Sequence, residues 1–404
     1  MIVHGFAGHD LVPPDTGASQ RLFGLYRGLA RRHETHVRAM VPNRHPGPAR
    51  ETVGSIDLVR RKAWYTSLAW RLEVWGLAPM YLAAHAHDAA ARGLACALPG
   101  RPDVMMADLS LTGVFAHAHG ALTVYQAHNV EYDHFASAGP AVAAAPRWAA
   151  GLRALEGRAC ERAGLVVVTS DEDAARMGEL YGVGADRLAV VPNGYDETAL
   201  RVPDALERES ARAAIGARAH ERVALFLGSD VPHNEAALRF LIERVMPRLS
   251  GVRLLAAGSV TRRFLAHREP WLTLRPPARD VLPWLAAADV GLNPVVGGAG
   301  SNVKLPAYLA AGLAVVSTPH GVRGYADLSP WVTVAAPEEF GAAIAAAPPG
   351  WPMSGARPPE PLARYAWGRL GEELGDRFHQ LAAGAPAPPA GSPLSSLATG
   401  GARA

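Results

Sequence analysis

The chain has 404 residues, a length that exceeds a single hydrophobic core and favours two domains. Hydrophobic residues make up 49% and charged residues 19% of the chain, which excludes a disordered or fibrous protein. The net charge is only +3, an excess that suits an anionic ligand and gives no indication of a nucleic-acid partner. Two cysteines, Cys96 and Cys160, are too few for a disulfide framework or a cysteine zinc site.

The N-terminal segment MIVHGFAGHD lacks the basic start and the apolar core of a signal peptide. No apolar run reaches the roughly 18 residues of a membrane-spanning helix. With so few cysteines, these patterns predict a cytoplasmic protein. The positive excess leaves peripheral contact with an anionic membrane open, although a run such as 60–62 (RRK) also fits a solvated face.

In the first half of the chain, short apolar runs rich in β-branched residues alternate with helical patterns. A helix is predicted over 20–33, because Leu22, Leu25 and Leu29 recur on one 3.6-residue face. Apolar runs this short are typical of buried parallel strands. The predicted strands begin at Ile2 and continue at 37–41, 104–106, 122–125, 165–170 and 188–191.

The alternation starts again after an arginine-rich stretch at 207–222, which we interpret as the linker between the halves. Strands and helices that alternate predict parallel sheets covered by helices on both faces. The sequence therefore predicts an α/β protein with two Rossmann-like, doubly wound domains and a disordered tail at 384–404. The second half has predicted strands at 223–227, 252–258, 289–294 and 313–317, and a predicted helix at 234–246.

Ligands of open α/β sheets bind beyond the carboxyl ends of the strands, so residues that follow a predicted strand are candidates. Gly17 and Ala18 precede the first helix, whose backbone N–H groups are available to an anion. Gly228 and Ser229 follow the strand at 223–227, and small residues let a phosphate approach the backbone there. Each pair also fits an ordinary turn.

The most specific pattern is a glycine-rich loop that leads into a lysine. Loop N–H groups, a helix N-terminus and an ammonium together can neutralise a diphosphate. The segment lacks the Gly-Lys-Ser/Thr of a Walker A loop, and a glycine loop followed by a solvated lysine is the alternative. The candidate residues are Gly298, Gly300, Ser301, Asn302 and Lys304.

His128 and Glu131 follow the predicted strand at 122–125 and form a second candidate site, although His128 alone also fits a structural histidine. Two further pairs of histidines are present, His85 with His87 and His117 with His119. No carboxylate or cysteine pattern accompanies either pair, so we predict that neither pair binds a metal ion and that the protein needs no metal cofactor.

Four motifs occur in order along the chain, PPDTGASQR at 13–21, HNVE at 128–131, PNG at 192–194 and GAGSNVK at 298–304. Together they resemble family 4 of the retaining GT-B glycosyltransferases. The resemblance implies two Rossmann-like domains that face each other across a cleft, at 1–196 and 197–383, with a final helix that crosses back to the first. It implies a nucleotide-sugar donor on the second domain, a sugar, lipid or small-molecule acceptor on the first, and no cofactor.

The resemblance also implies roles for the candidate residues in transfer with retained configuration. His128 would contact the transferred sugar or the acceptor, and Glu131 would orient the acceptor or His128. Asn193, Gly228, Ser229 and Gly298 complete the donor-binding set. The groups that would stabilise the charge on the leaving diphosphate are Lys304, the N–H groups of Gly300, Ser301 and Asn302, and the backbone of Gly17 and Ala18.

Departures from the family pattern keep other functions open. Ala307 replaces the family's ribose-binding glutamate, and Ala299 stands at the partner position eight residues earlier. The chain therefore also fits a non-catalytic subunit that binds a sugar nucleotide or a glycan, or a GT-B isomerase of the nucleotide sugar. Transfer of the sugar into a product separates a transferase from both.

Metal independence gives the first testable prediction. Sugar transfer should survive EDTA, because Lys304 and helix N-termini, rather than a divalent ion, neutralise the diphosphate. The rate of product formation before and after chelation measures this. A loss of activity that a divalent ion restores would contradict the prediction and make the histidine pairs candidate ligands.

Overall fold

The computed structural model describes residues 1–74, 89, 92–95, 98, 100–137, 146–278, 280–297, 301–350 and 359–384. These residues form two compact units. Unit 1 comprises Met1–Pro13, Ala18–Pro192 and the chain from Gly368 onward, and unit 2 comprises Pro14–Gly17 and Asn193–Trp367. From residue 385 onward, the predicted tail lies outside the described residues.

Unit 1 is built on one eight-stranded sheet. Its strands are β1 (Ile2–Ala7), β2 (Glu34–Pro42), β3 (Arg50–Val53), β4 (Ile56–Ala63), β5 (Val104–Ala107), β6 (Leu122–Gln126), β7 (Leu165–Val168) and β8 (Leu188–Val190). They follow the order β3-β4-β2-β1-β5-β6-β7-β8, in which β3 pairs antiparallel with β4 and the other pairs are parallel. Every residue of β5 and β7 is buried, as expected for strands covered on both faces.

In the described part of the chain before Pro192, the α-helices beside these strands are α1 (Gly17–Leu29), α2 (Trp64–Val74), α3 (Glu131–Ser137), α4 (Pro146–Arg162) and α5 (Asp171–Tyr181). Helix α1 begins three residues before the predicted start, because a first turn without periodic apolar residues gives no amphipathic signal. Helix α5 has clear end signals, since Ser170 caps its N-terminus through the N–H of Asp173 and Gly182 follows it with a left-handed φ of 64°.

The β3–β4 hairpin is absent from the sequence-based prediction, and it corrects the interpretation of the basic run within it. Arg60 is buried, and its guanidinium donates to Asp10 at 2.6 Å and to Glu51 at 2.7 Å. Arg61 and Lys62 are exposed. The prediction of a solvated face therefore holds for Arg61 and Lys62. Arg60 instead connects the hairpin to the loop after β1 through Asp10.

Unit 2 is built on six parallel strands, β9 (Arg222–Leu227), β10 (Val252–Ala257), β11 (Leu272–Arg275), β12 (Val290–Asn293), β13 (Ala314–Ser317) and β14 (Val332–Val334). Their order is β11-β10-β9-β12-β13-β14. Along β9, Val223 and Leu225 enter one core cluster while Ala224 and Phe226 enter the other, so both faces of the sheet are covered. The predicted fold class, two Rossmann-like α/β domains, is confirmed. The edge strands β11 and β14 escaped prediction because they are short and partly exposed.

The predicted linker is instead a helix of unit 2. Helices here are α6 (Ala205–Ala214), α7 (Pro232–Phe240), α8 (Leu282–Ala287), α9 (Lys304–Ala310) and α10 (Phe340–Ala346). Asp204 and Glu207 form a capping box that starts α6. Arg208 and Arg212 both bind the carboxylate of Asp289, next to β12. Arg208 and Arg212 therefore fix α6 to unit 2, whereas the sequence predicts a linker in which these arginines face solvent.

The last helix, α11 (Trp367–Ala382), packs on the first helix within unit 1. A Cβ on Gly371 would lie 2.5 Å from the Cα of Gly28, and one on Gly375 would lie 2.4 Å from the ring of His33. The chain can approach this closely because Gly28, Gly371 and Gly375 lack side chains. No helix in the described ranges, α11 included, is long and apolar enough to cross a membrane.

The approach of β9 and β10 gives a prediction about stability. Gly258, directly after β10, has φ 111° and ψ −178°, a conformation almost restricted to glycine. A Cβ there would lie 2.2 Å from the carbonyl oxygen of Gly228. Because a backbone atom cannot move aside cheaply, Gly258→Ala should destabilise the protein by roughly 3 kcal/mol or more.

Gly251→Ala is the matched control, because Gly251 directly precedes β10, has φ 70° and has open space around the position of its Cβ. Its expected cost is only the roughly 1–2 kcal/mol of a left-handed alanine. Urea denaturation of both variants measures the difference. Equal costs would show that the contact with Gly228 relaxes without penalty.

Candidate functional site

Lys304, the first residue of α9, is buried in unit 2 with 7% of its surface exposed. Its Nζ donates to Oδ1 of Asn234 at 3.0 Å and lies 4.5 Å from the centre of the Phe226 ring. The amide of Asn234 donates in turn to the carbonyl oxygen of Ser229 at 3.1 Å. We call Lys304, Asn234, Phe226 and Ser229 the Lys304 cluster. It brings together two predicted site residues, Ser229 and Lys304.

The Lys304 ammonium has no carboxylate partner among the residues that the structure describes. Burial lowers the pKa of Lys304 to about 7, because desolvation disfavours the charged form. A ring face and a neutral amide offset only part of that cost. The interpretation of Lys304 as a solvated surface charge is therefore wrong, and an anion arriving at Nζ would restore the charge.

Gly228, the other predicted residue after β9, lies beside this cluster. A Cβ on Gly228 would lie 3.0 Å from the ring of Phe226 and 3.0 Å from Val260, so little room exists for a side chain. Ser301 and Asn302 are half-buried and lead into α9. Gly298 and Gly300, the remaining predicted residues of the glycine loop, lie outside the described residues.

Asn193 of the PNG motif is bound to the same loop within unit 2. Its side-chain amide donates to the carbonyl oxygen of Ser301 at 2.7 Å, and its backbone N–H donates to the Ser301 hydroxyl at 3.2 Å. The hydroxyl of Tyr325 donates to the carbonyl oxygen of Asn193 at 2.9 Å. Asn193 is thus a residue that fixes the loop before Lys304, and a direct contact with the donor stays a prediction.

Gly17 and Ala18 are the first two residues of α1, and both are half-buried. In the next turn the guanidinium of Arg21, which is buried, donates to the carbonyl oxygen of Val191 at 2.7 Å. This bond ties α1 to the end of β8. The role of the Gly17 and Ala18 N–H groups in binding a diphosphate stays a prediction.

In unit 1, His128 follows β6 and Asp108 follows β5. Nε2 of His128 lies 3.1 Å from Oδ1 of Asp108, while Oδ2 of Asp108 accepts from the N–H of Gly8 at 2.9 Å. Burial alone would raise the pKa of Asp108, but His128, His9 and the Gly8 N–H together hold that pKa below its usual value. The buried, ionised carboxylate of Asp108 therefore orients the ring of His128. Both residues lie beyond the carboxyl ends of parallel strands, where α/β sheets bind ligands.

Glu131, the first residue of α3, lies next to a second buried carboxylate, Glu156 of α4. Oε1 of Glu156 accepts from the N–H of Glu131 at 2.9 Å and the hydroxyl of Tyr125 at 3.1 Å. Oε2 accepts from the N–H of Tyr132 at 3.1 Å and the hydroxyl of Tyr181 at 2.6 Å. Glu156 thereby fixes the start of α3, two residues after the His128-Asn129 pair.

Three residues of these sites were missed from the sequence. Asp108 directly follows β5, so the rule that selected His128 would have selected it too. Asn234 lies in the first turn of α7, and Glu156 lies in the middle of α4. Neither occupies a strand end, and only the fold brings them to Lys304 and Glu131.

Solved structures share the fold of this chain. The chain aligns over 95% of its length with a sucrose-phosphate synthase from Thermosynechococcus elongatus, with 15% identity, a TM-score of 0.67 and 100% of that chain covered. HepE from Anabaena, solved with UDP and glucose, gives 14% identity, a TM-score of 0.60 and coverage of 94% and 100%. WaaG, a glycosyltransferase involved in lipopolysaccharide biosynthesis, gives 18% identity, a TM-score of 0.57 and coverage of 94% and 98%. The fold is the GT-B arrangement of glycosyltransferases.

Two family models match the chain, one in each half. Residues 16–199 match Glycosyltransferase Family 4, and residues 221–347 match Glycosyl transferases group 1. The chain therefore belongs to the glycosyltransferase enzymes, with a family 4 N-terminal domain and a group 1 C-terminal domain. The predicted family is confirmed, while retention of configuration stays a prediction.

A curated relative matches a shorter segment. The D-inositol 3-phosphate glycosyltransferase of Mycobacterium tuberculosis is 32% identical over 103 residues, which are 26% of this chain and 20% of that protein. The match thus spans a fifth of the length of this relative.

The pH dependence of stability tests Glu156. Burial, and then the charge of Glu131, raise the pKa of Glu156 to about 7 from 4.5. The folded state therefore holds this proton more tightly than the unfolded chain, so the wild type loses stability as the pH rises from 4.5 to about 7. Glutamine cannot ionise, so the advantage of the wild type over Glu156→Gln should shrink by about 2 kcal/mol between pH 5 and pH 8.

Urea denaturation of both proteins at the two pH values measures this change. Glu161→Gln is the control, because Glu161 is exposed on the same helix, and its effect should be small at both values. A difference between wild type and Glu156→Gln that does not vary with pH would contradict the prediction.

Proposed function

We propose that the chain transfers a sugar from a nucleotide-diphosphate donor to an acceptor, with retention of configuration, and that the Lys304 cluster of unit 2 binds the donor diphosphate. The observation that carries the proposal is the buried ammonium of Lys304, which contacts an amide and an aromatic ring and has no described carboxylate beside it. A buried cation of this kind matches a ligand that brings its own negative charge.

The same geometry suits the chemical step. Negative charge grows on the diphosphate as the bond to the sugar breaks, and a desolvated cation stabilises that charge more strongly than a solvated one. Asn234 and Phe226 hold Nζ in place before the ligand arrives, so little reorganisation is needed during the reaction. We assign supporting roles to the N–H groups of Ser301 and Asn302, and no metal is required.

Relatives indicate which donor to test first. HepE was solved with UDP and glucose, and a trehalose-6-phosphate protein from E. coli was solved with UDP-2-fluoro glucose. These ligands support a UDP-sugar as the donor of this chain. A starch synthase was solved with ADP, so adenine donors belong in the same test.

We assign the acceptor to unit 1, where Asp108 orients His128 and Glu156 fixes the start of the helix that carries Glu131. His128 is proposed to contact the acceptor or the transferred sugar. A related protein carries D-inositol 3-phosphate in its name and another was solved with glucose-6-phosphate, which favours phosphorylated polyols and sugars as first acceptors. We place the reaction in the cytoplasm, with lipid-linked acceptors at a membrane surface as the second set to test.

A panel of UDP, GDP, ADP and dTDP sugars tests the proposal. One donor should raise the melting temperature, because a ligand that binds only the folded state stabilises it. Incubation of that donor with an acceptor library should give a glycosylated product, whose anomeric configuration NMR then reports. A shift without product would favour the binding subunit, and a changed nucleotide sugar without acceptor would favour the isomerase. No shift with any donor would overturn the proposal.

Substitution of Lys304 tests the role of its charge. Lys304→Met keeps a long apolar stem in the pocket and removes the ammonium. Turnover should fall by roughly 100- to 1000-fold, as for loss of one preorganised group that stabilises a developing anion. The melting temperature at pH 7 should stay equal or rise, because a buried charge without an ionic partner no longer has to be accommodated.

Lys62→Met is the matched control, because the chain has only two lysines and Lys62 is exposed in β4. Its turnover should equal that of the wild type. Wild-type turnover in Lys304→Met would show that the ammonium takes no part in the reaction. A large loss of melting temperature would assign Lys304 to the stability of the fold instead.

A further inference from the structure

Three side chains of unit 1 place potential metal ligands together. His9, Asp108 and His128 each offer one nitrogen or oxygen atom, and these atoms all lie within 4.8 Å of one another. The rings of His9 and His128 have centroids 5.8 Å apart. The three residues follow β1, β5 and β6, which are neighbouring strands of one sheet. They therefore lie at the same edge of the sheet, where the carboxyl ends of these strands meet.

The hydrogen bonding around these three residues favours a role as metal ligands. Nε2 of His9 is buried and has no hydrogen-bond partner among the described residues. Asp108 is buried, and the N–H of Gly8 holds its Oδ2 at 2.9 Å, which leaves Oδ1 facing His128. A hydrogen bond that fixes a ligating carboxylate in this way is typical of the groups that surround protein metal sites.

The chemistry of the three donors selects among ions. Two imidazoles and one carboxylate suit Zn²⁺ and similar first-row ions, whereas Mg²⁺ and Ca²⁺ prefer oxygen ligands alone. Bonds of about 2.0–2.2 Å place the ligand atoms of a tetrahedral zinc site about 3.3 Å apart. The His128–Asp108 pair, at 3.1 Å, already has that spacing, and no ligand atom of the three lies more than 4.8 Å from another.

We propose that His9, Asp108 and His128 form a binding site for one zinc-like divalent ion, with a fourth position open to solvent or ligand. Because the proposal for transfer gives His128 a contact with the sugar or acceptor, the bound ion acts as an inhibitor of transfer and not as its cofactor. This second statement rests on the proposed function, whereas binding of the ion does not. Activity after EDTA treatment is compatible with both.

Direct binding is measured with the full chain after EDTA has been removed by dialysis. Titration with Co²⁺ should give visible absorption bands of a four- or five-coordinate ion, saturating at one ion per chain, and Zn²⁺ should abolish these bands. His9→Ala should weaken binding at least 10-fold, and Asp108→Asn should do the same. His119→Asn is the control, because His119 is exposed in unit 1 and lies outside the trio.

The transferase assay then separates the two statements. Zn²⁺ should inhibit the wild type and the control variant, whereas the activity of His9→Ala, measured relative to its own metal-free rate, should resist inhibition. Absence of Co²⁺ bands in the wild type, or binding that His9→Ala does not weaken, overturns the metal site. Tight binding with full activity confirms the site and overturns the assignment of His128 to transfer.

Discussion

A buried ammonium to which the described residues offer no ionic partner is the constraint on which the arrangement of unit 2 depends. A pKa of about 7 instead of 10.5 for Lys304 corresponds to a cost on the order of 5 kcal/mol for keeping the charge. Phe226 and Asn234 hold the amine without neutralising it, and the close packing beside them leaves little room for a side chain at Gly228. Selection for stability alone would favour an apolar side chain here, so the lysine indicates a ligand that supplies the missing charge.

Unit 1 has the opposite character, because its buried ionisable groups include the carboxylates of Asp108, at a strand end, and Glu156, in the middle of α4. Asp108 stays ionised beside His128, whereas burial, and then the charge of Glu131, raise the pKa of Glu156 to about 7. Asp108 thus orients the imidazole of His128, and Glu156 fixes the start of α3. The division agrees with an anionic donor on one unit and a hydroxyl-bearing acceptor on the other, since hydroxyl groups are recognised by carboxylates and imidazoles.

The fold was predictable because its main signals are local. Apolar runs such as those of β5 and β7 indicate buried parallel strands, and the second start of the alternation indicates a second sheet. The β3–β4 hairpin and helix α6 were not predicted, because Arg60, Arg208 and Arg212 gain their partners only through tertiary contacts. In the candidate site, His128, Gly228 and Ser229 were found at strand ends and Asp108 was missed at one, whereas Asn234 and Glu156 depend on how helices pack and have no signature in the sequence.

The position of α11 has a consequence for how the protein is made. Unit 1 contains the first 13 residues and also the helix whose Gly371 and Gly375 pack on the Gly28–His33 region, yet unit 2 lies between them in the chain. During synthesis, the surface of α1 that receives this helix stays uncovered until the ribosome has passed residue 382, long after the strands of unit 1 have emerged. Unit 2 is therefore translated, and can fold, while unit 1 is still incomplete. A chain that ends before α11 leaves the surface around Gly28 and His33 uncovered.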